Sequence, residues 1–304
     1  MLGLMLHQMF GCAEPIEEVF TDCSGETEYY LISRMAFSSI ERNRTWGYDL
    51  DDTVSDGTET DECGGEDFVS HSGEPGIDNA FSDLLDTLTS APLVDDELIN
   101  KAINQGRILI LIEISGLESH FQDDCVQVAL HKAGGDLLFD IDENLLDGQT
   151  YFVNPNESGS VVTDIPLSEG QLDALPIVFS FPMPVLDCGP NCGVGSTTLP
   201  LDLIGGMHIS FTQDKRLAGF VSGSVPLDLL TGAANQPDSG YTVSDLDIIN
   251  SASDIRSEET GECDKISMTI EFEAVRAHIF DNQFSYEWDQ EATENSSGDD
   301  EVQE

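Results

Sequence analysis

The sequence predicts a mainly β protein, a β-sandwich or jelly-roll-like domain with a short helical insertion, stapled by disulfides. Two observations predict this class. Short segments rich in β-branched and aromatic residues recur along most of the chain, separated by Gly, Pro, Asn and Asp. Of the seven cysteines, the six that follow Cys12 lie among polar neighbours, as in disulfide-bonded exported proteins, and they do not form the paired C-x2-C knuckles of zinc sites.

The strand pattern begins at 28–40, where EYYLISRMAFSSI has the aromatic and β-branched content of a first strand. At 107–117 the run RILILIEISGL is almost entirely apolar, which indicates a strand buried on both faces. By contrast, CVQVALHKA at 125–133 alternates, as a strand with one wet face does. Further strand segments are PIVFSFPMPV, GMHISFTQ, RLAGFVSGSVPLDLL and DKISMTIEFEAVRAHI.

Residues 77–106 depart from this pattern and predict two short helices. In GIDNAFSDLLDTLTSA, apolar residues recur at helical spacing after Asp78, which is placed to cap a helix. In VDDELINKAINQG, four apolar residues share one helical face and Gly106 fits a C-terminal stop. That face comprises Leu98, Ile99, Ala102 and Ile103.

The N-terminus resembles the end of a bacterial lipoprotein signal peptide. A short apolar run leads to Phe10-Gly11-Cys12, where a small residue precedes a cysteine that would become the lipidated N-terminus. Residues 1–11 carry no Lys or Arg and are shorter than a usual signal. The alternative is that residues 1–12 form a buried element and Cys12 is a core thiol. With Cys12 lipidated, an even set of disulfide candidates remains: Cys23, Cys63, Cys125, Cys188, Cys192 and Cys263.

Four regions are therefore expected along the chain. They are a residual signal peptide with the lipidation cysteine (1–12), a linker (13–27), a β-rich domain (28–285) and a disordered acidic tail (286–304). The expected location is the outer membrane surface or the periplasm, with attachment to the membrane through the lipid anchor.

Charge is the most unusual property of the chain. Its 59 acidic residues face 11 basic ones, for a formal net charge of −48. Such a surface repels nucleic acids and anionic lipid headgroups. Solubility alone needs a magnitude of only about 2–8 for a small domain. Adaptation to a saline medium explains a general excess better, since the chain has only four lysines. Specific cation sites require local clusters.

Such a cluster is present in residues 47–79, here called the acidic loop, where eleven residues are acidic and none is Lys or Arg. Flexible Asp-rich loops supply the six to eight oxygen ligands that Ca²⁺ takes, so the sequence predicts a calcium site, although the spacing is not that of an EF-hand. The alternative is a solvated, saline-adapted loop pinned by Cys63. The candidate ligands are Asp49, Asp51, Asp52, Asp56, Asp61, Asp67 and Asp78. A weaker cluster comprises Asp136, Asp140, Asp142, Asn144 and Asp147.

The same loop carries a resemblance to a protein family. GYDLDD, DECGGEDF and GEPGIDNAFSDLL resemble a recurrent pattern in uncharacterised secreted lipoproteins of myxobacteria and related bacteria. In that pattern a Gly-aromatic-Asp-Leu-Asp element precedes a cysteine and a Gly-Ile/Val-Asp-Asn element. CDKISMTIEFEAV is similar to the closing strand of that group. The resemblance implies location and architecture, and it implies nothing about mechanism.

The sequence contains none of the enzyme signatures sought: a G-x-S-x-G elbow, H-E-x-x-H, a Walker loop, or G-x-G-x-x-G between strand and helix. His120 and His131 flank acidic residues, which places a base near carboxylates. The leading expectation is a non-enzymatic lipoprotein with a structural calcium-binding loop, binding an unidentified protein partner or glycan and no nucleic acid. The alternatives are a secreted polysaccharide hydrolase using a carboxylate pair, and a purely structural envelope protein with a salt-adapted acidic surface.

Overall fold

The computed structural model describes residues 23–58, 63, 65–87, 96–142, 144–184, 198–234, 243–257 and 260–280. The strands in this part of the chain are β1 (Glu26–Phe37), β2 (Arg44–Thr45), β3 (Phe68–Ser70), β4 (Pro75–Ile77), β5 (Ile110–Leu117), β6 (Gln122–Gly134), β7 (Gln149–Ser168), β8 (Gln171–Pro184), β9 (Thr198–Phe211), β10 (Leu217–Pro226), β11 (Ile255–Arg256) and β12 (Cys263–Ile279). The helices are α1 (Ala80–Thr87), α2 (Asp96–Asn104), α3 (Leu227–Ala234) and α4 (Val243–Asn250).

Eight strands form one closed antiparallel sheet. Their order is β1-β5-β6-β7-β8-β9-β10-β12, and β1 pairs with β12 to close the sheet. Neighbouring strands therefore follow one another along the chain, apart from two insertions. The first, between β1 and β5, holds a small sheet of β2, β3 and β4 together with α1 and α2; the second, between β10 and β12, holds α3, α4 and β11. The prediction of a mainly β, sandwich-compatible fold with disulfides is confirmed.

The interior of the closed sheet is filled with alternate side chains of its strands. On β5, Ile110, Ile112 and Ile114 face this core, whereas Leu111 belongs to a second buried cluster on the outer face. The prediction of a strand buried on both faces is thus confirmed. The apolar space left near Met35 has a volume of about 10 Å³, which is about what one water molecule needs. The centre is therefore a packed core and not a ligand chamber.

The first insertion contains the two helices that the sequence predicts, and the second contains two helices that it does not predict. The face predicted for α2 is buried, and Gly106 follows the helix with a φ of 71°. Helix α1 begins at Ala80, while the carboxylate of Asp78 accepts a hydrogen bond from the Leu50 amide instead of capping the helix. The segment expected to be all strand up to residue 230 ends at Pro226 and continues as α3. Proline supplies no N–H to a strand ladder, and its fixed φ suits the start of a helix.

Among the described residues, two disulfides join distant parts of the chain. Cys23 is bonded to Cys125, and Cys63 is bonded to Cys263. Because Cys23 and the start of β1 at Glu26 both fall within 13–27, the end of the predicted linker belongs to the folded domain. Outside the described residues lie Cys12, Cys188, Cys192, the signal segment 1–12 and the tail 286–304.

Candidate metal centre and adjoining cleft

Short-range hydrogen bonds shape the part of the acidic loop that follows β2. Asp51 Oδ1 accepts hydrogen bonds from the Thr53 amide at 2.9 Å and the Thr53 hydroxyl at 2.7 Å, which makes an Asx turn. Asp78 lies directly after β4, and its Oδ2 accepts a hydrogen bond from the Leu50 amide at 2.6 Å. These bonds bring two acidic segments, separated by the small sheet, against each other.

Three of the predicted calcium ligands converge there. One carboxylate oxygen each from Asp49, Asp51 and Asp78 lies within 4.8 Å of the others. The side chain of Asp67 forms a hydrogen bond with that of Asp78 and also accepts one from the Ser55 amide at 2.5 Å. The four carboxylates of Asp49, Asp51, Asp67 and Asp78 are called the acidic cluster below.

Gly76 leaves space for the cluster where any other residue would fill it. Its φ is 88°, and an added Cβ would lie 3.0 Å from Asp49 Oδ2 and 3.1 Å from the Thr53 carbonyl oxygen. Those two oxygens therefore line the same small space. Together with the other carboxylates they form an all-oxygen set, which is the donor chemistry that Ca²⁺ prefers. The acidic groups are thus placed so that they could hold a metal ion.

Burial and mutual repulsion oppose ionisation of the carboxyl groups in the acidic cluster. Burial raises the pKa of Asp78 to about 9, with further contributions from Asp254, Asp51 and Asp67. Burial and the nearby charge of Asp51 also raise the pKa of Asp49. Burial raises the pKa of Asp67, although the hydrogen bond from Ser55 opposes this. A bound cation would relieve this repulsion, because it stabilises the ionised form of every carboxylate around it.

Asp254 is a functional candidate that the sequence reasoning missed. It is 8% exposed and accepts hydrogen bonds from the amide of Ser267 at 2.8 Å and from its hydroxyl. Burial raises its pKa to about 6. Gly65, two residues after the disulfide-bonded Cys63, packs against Asp254: an added Cβ on Gly65 would lie 2.7 Å from the Asp254 Cβ. Nothing in SASDIRS marks this aspartate, because its burial results from contacts with distant segments.

The other predicted ligands are placed differently. Asp52 is exposed, with a φ of 59°, and lies outside the converging group. Asp56 is also exposed, and its carboxylate accepts hydrogen bonds from Thr58. Asp61 lies outside the described residues. In the weaker cluster, Asp140 accepts hydrogen bonds from the backbone amides of Asp142 and Asn144, so it stabilises a turn.

An open cleft of about 1190 Å³ adjoins the acidic cluster on the outer face of the closed sheet. Its floor consists of two rows of side chains that run across the strands. The first row comprises Asp173, His208, Phe220 and Glu271 on β8, β9, β10 and β12. The second comprises Gln171, Ser210, Ala218, Glu273 and Arg34, the last on β1.

The opposite wall of the cleft is the acidic loop itself. Trp46, which immediately precedes this loop, stacks on Phe220 with ring centroids 5.7 Å apart and contacts His71 at 4.4 Å. Tyr48 lies over Gly206, where an added Cβ would come within 2.8 Å of the tyrosine ring. Trp46 remains 40% exposed. Asp49 belongs both to this wall and to the acidic cluster.

The carboxylates of the floor are in different electrostatic states. The hydrogen bond from His208, at 2.9 Å, holds the pKa of Asp173 below its usual value, and the Tyr48 hydroxyl adds a second bond at 2.6 Å. Burial raises the pKa of Glu271, opposed by a hydrogen bond from Ser38. The two acids stand three strands apart, roughly 14 Å at about 4.8 Å per strand. They are therefore too distant to act as one catalytic pair.

The histidines that flank acidic residues in the sequence do contact carboxylates, away from this cleft. His120 Nε2 lies 2.8 Å from Glu28, and His131 Nε2 lies 2.8 Å from Glu113. Glu28 is 6% exposed and also accepts hydrogen bonds from Tyr30 and Arg276. Burial acts to raise the pKa of Glu28, but these partners outweigh it and lower the pKa. This network cross-links β1, β12 and the turn before β6.

Comparison of the chain with protein-family models, with curated proteins and with solved structures finds no match. The functional conclusion therefore rests on the chemistry of the acidic cluster and the cleft. Within the part of the chain that the structure describes, no helix is long and apolar enough to cross a membrane.

Proposed function

We propose that this chain is an exported, non-catalytic binding protein whose acidic loop holds a structural Ca²⁺ ion, lipid-anchored through Cys12, and that it binds a partner or glycan. The observation that carries the proposal is the convergence of Asp49, Asp51 and Asp78 on a space of oxygen donors. An ion there would tie the segment after β2 to the start of α1 and so fix one wall of the outer cleft.

Export is supported by the disulfides. Bonds such as Cys23–Cys125 and Cys63–Cys263 persist in oxidising compartments and are rare in the cytosol. They are consistent with an extracytoplasmic location. The lipid anchor is supported by the sequence before Cys12. The cleft favours a binding function over a purely structural one, since a structural envelope protein requires neither a cleft nor a cation site.

Calcium is expected to raise the temperature of unfolding of the oxidised full chain. A ligand that binds only the native state adds about 2.7 kcal/mol at 100 times its dissociation constant, which corresponds to several degrees for a chain of this size. The measurement is thermal unfolding in EDTA and in millimolar Ca²⁺, at matched ionic strength. The triple substitution Asp49→Asn, Asp51→Asn and Asp78→Asn should abolish the shift.

Asp52→Asn is the matched control, because Asp52 is a neighbouring acid that the structure leaves outside the cluster. This variant should keep the full response to Ca²⁺. An equal stabilisation of the triple variant, or an effect that depends only on ionic strength, would show that the acidic loop is a saline-adapted surface and not a calcium site.

A second candidate function, polysaccharide hydrolysis, is favoured by one observation. Glu271 and Glu273 lie two residues apart on the same face of β12 and both line the cleft. Successive same-face positions on a strand are about 6.8 Å apart, within the roughly 6.5–9.5 Å that separates the carboxylates of inverting glycosidases. A hydrolase should release reducing ends from a polysaccharide, and Glu271→Gln should abolish the release. If no reducing ends appear, this candidate is eliminated and the binding function is retained.

A further inference from the structure

The outer cleft has the dimensions of a site for an extended ligand. Its volume of about 1190 Å³ exceeds the roughly 300–1,000 Å³ of most small-molecule sites. Ala218 lies in the second row of the floor, where its small side chain stands between Ser210 and Glu273. The two rows of the floor run across β8, β9, β10 and β12, so a linear molecule that lies along them would cross the strands.

The lining combines aromatic rings with polar groups. Trp46 offers a large ring that contacts Phe220 and His71 and is still 40% exposed. Around it, carboxylates, two histidines and three serines are able to accept or donate hydrogen bonds. An aromatic platform with polar groups at its rim suits a ligand that has both apolar faces and hydroxyl edges. Pyranose rings have this character, because their C–H faces are apolar and their edges carry hydroxyls.

The charges of the cleft select among such ligands. An acidic polysaccharide would be repelled by the carboxylates of the cleft and by the net charge of −48. A cationic ligand would need carboxylates that lack partners. Two of the floor acids already have partners. Asp173 accepts a hydrogen bond from Tyr48 and is hydrogen-bonded to His208, and Glu273 lies 3.8 Å from Arg34. Asp49, Glu74 and Glu271 also line the cleft, and Asp49 belongs to the acidic cluster, where Ca²⁺ would neutralise it. A neutral ligand is thus favoured over an acidic one, and a cationic ligand is the competing class.

We propose that the outer cleft binds a neutral hexose oligosaccharide, with Trp46 stacking on a sugar ring, and that Ca²⁺ in the acidic cluster strengthens this binding. The coupling rests on the proposed calcium function. It follows from Asp49, which belongs to the cluster and the cleft wall alike, and from Tyr48, its neighbour in that wall. An ion bound to Asp49 would fix this segment before the sugar arrives, which reduces the entropy that binding loses.

The test is calorimetric titration of the oxidised full chain, in millimolar Ca²⁺, with the hexamers of α-1,4-, α-1,6-, β-1,3-, β-1,4- and β-1,6-linked glucose and of β-1,4-linked mannose. Oligogalacturonate and chitosan hexamers serve as the anionic and cationic probes. We expect at least one neutral hexamer to bind, and Trp46→Ala to raise its Kd at least about tenfold, as loss of a central aromatic contact does. Phe121→Ala, at a 65% exposed aromatic residue outside the cleft, should leave the Kd unchanged.

Because Trp46 also packs on Phe220, its substitution is paired with Glu271→Gln, which keeps the shape of the floor. The unfolding temperature of each variant is compared with that of the parent. At least one variant should unfold at the parent temperature and bind the sugar more weakly. If both variants bind the sugar as tightly as the parent does, the proposal is overturned. If none of the neutral hexamers binds, or if only chitosan binds, the proposal is overturned, whatever the response to Ca²⁺. Equal weakening by Phe121→Ala would also overturn it.

The effect of Ca²⁺ on sugar binding is measured separately from sugar binding itself. EDTA should raise the Kd for the neutral hexamer at least about tenfold if wall and ion are coupled. Sugar binding that is unaffected by EDTA, in a protein whose unfolding does respond to Ca²⁺, would overturn the coupling and leave the calcium function standing. Sugar binding in a protein whose unfolding ignores Ca²⁺ would reject the calcium function while supporting the sugar site.

Discussion

In the metal-free protein, the temperature of unfolding should fall as the pH rises from 5 to 8, and Ca²⁺ should remove that fall. Asp78 has a folded-state pKa of about 9, against an ordinary value of 3.8. Between those values the native chain holds a proton that the unfolded chain lacks. The stabilisation from this proton is fully present below pH 4 and is lost as pH rises through about 9. Its slope is at most about 1.4 kcal/mol per pH unit.

Calcium removes this dependence because the ion binds ionised carboxylates and displaces the proton. The stabilisation by Ca²⁺ should therefore be larger at pH 8 than at pH 5. Asp78→Asn isolates the effect, since the amide oxygen can still accept the hydrogen bond from Leu50 but carries no proton to lose. In EDTA at pH 8 this variant should be more stable than the parent, by up to a few kcal/mol, and it should respond weakly to Ca²⁺.

The measurement is a series of thermal or urea unfolding curves across this pH range, with and without Ca²⁺, at constant ionic strength. Asp140→Asn serves as the control, because Asp140 lies outside the cluster. If Asp78→Asn keeps the same slope as the parent in EDTA, the proton on Asp78 is not the source of the pH dependence.

Loss of the Cys63–Cys263 disulfide should weaken both the fold and the response to Ca²⁺. This bond spans 200 residues and joins the acidic loop to the start of β12. Removing a native disulfide typically costs about 2–5 kcal/mol, because it frees the unfolded chain. The double substitution Cys63→Ser and Cys263→Ser should lower the free energy of unfolding by this amount. It should also lower Ca²⁺ affinity, since Gly65 and Asp67 are then no longer held beside Asp254.

The second disulfide provides the matched control. Cys23–Cys125 spans 102 residues, and because the entropic term depends on the logarithm of loop length, the two bonds should differ by only about 0.6 kcal/mol. Cys23→Ser with Cys125→Ser should thus cost similar stability and leave the Ca²⁺ response intact. Urea unfolding and calcium titration of both double variants give the comparison. Equal Ca²⁺ affinity in the two would contradict the role assigned to the Cys63 bond.

Sequence patterns predicted the parts of the fold that local periodicity controls. The apolar run at 107–117 gave a strand buried on both faces, and the spacing of Leu98 and Ile99 with their partners gave the buried face of α2. Closure of the sheet could not be predicted, because it depends on β1 pairing with β12, about 240 residues away. Periodicity reports which faces of a strand are buried, but not which strand lies beside it.

The sequence likewise predicted only part of the candidate site. Composition identified the acidic loop, but it gave Asp52 and Asp56 the same weight as Asp49 and Asp78. Only the fold separates them, since the Leu50 amide and the space beside Gly76 determine which carboxylates converge. The cleft was not foreseen either. Its floor comes from five strands and its wall from the acidic loop, so no single segment of the sequence marks it.

The seam between β1 and β12 also determines the order in which the molecule can assemble. These are the first and last strands of the closed sheet, so their pairing requires nearly the whole chain to be present. Topologies dominated by such long-range pairs fold slowly. The Cys63–Cys263 bond likewise needs the start of β12 beside the acidic loop. The closed sheet and its loop anchor should therefore form late, and a chain released before residue 263 would present β1 and β10 as open edges, prone to pairing with other chains.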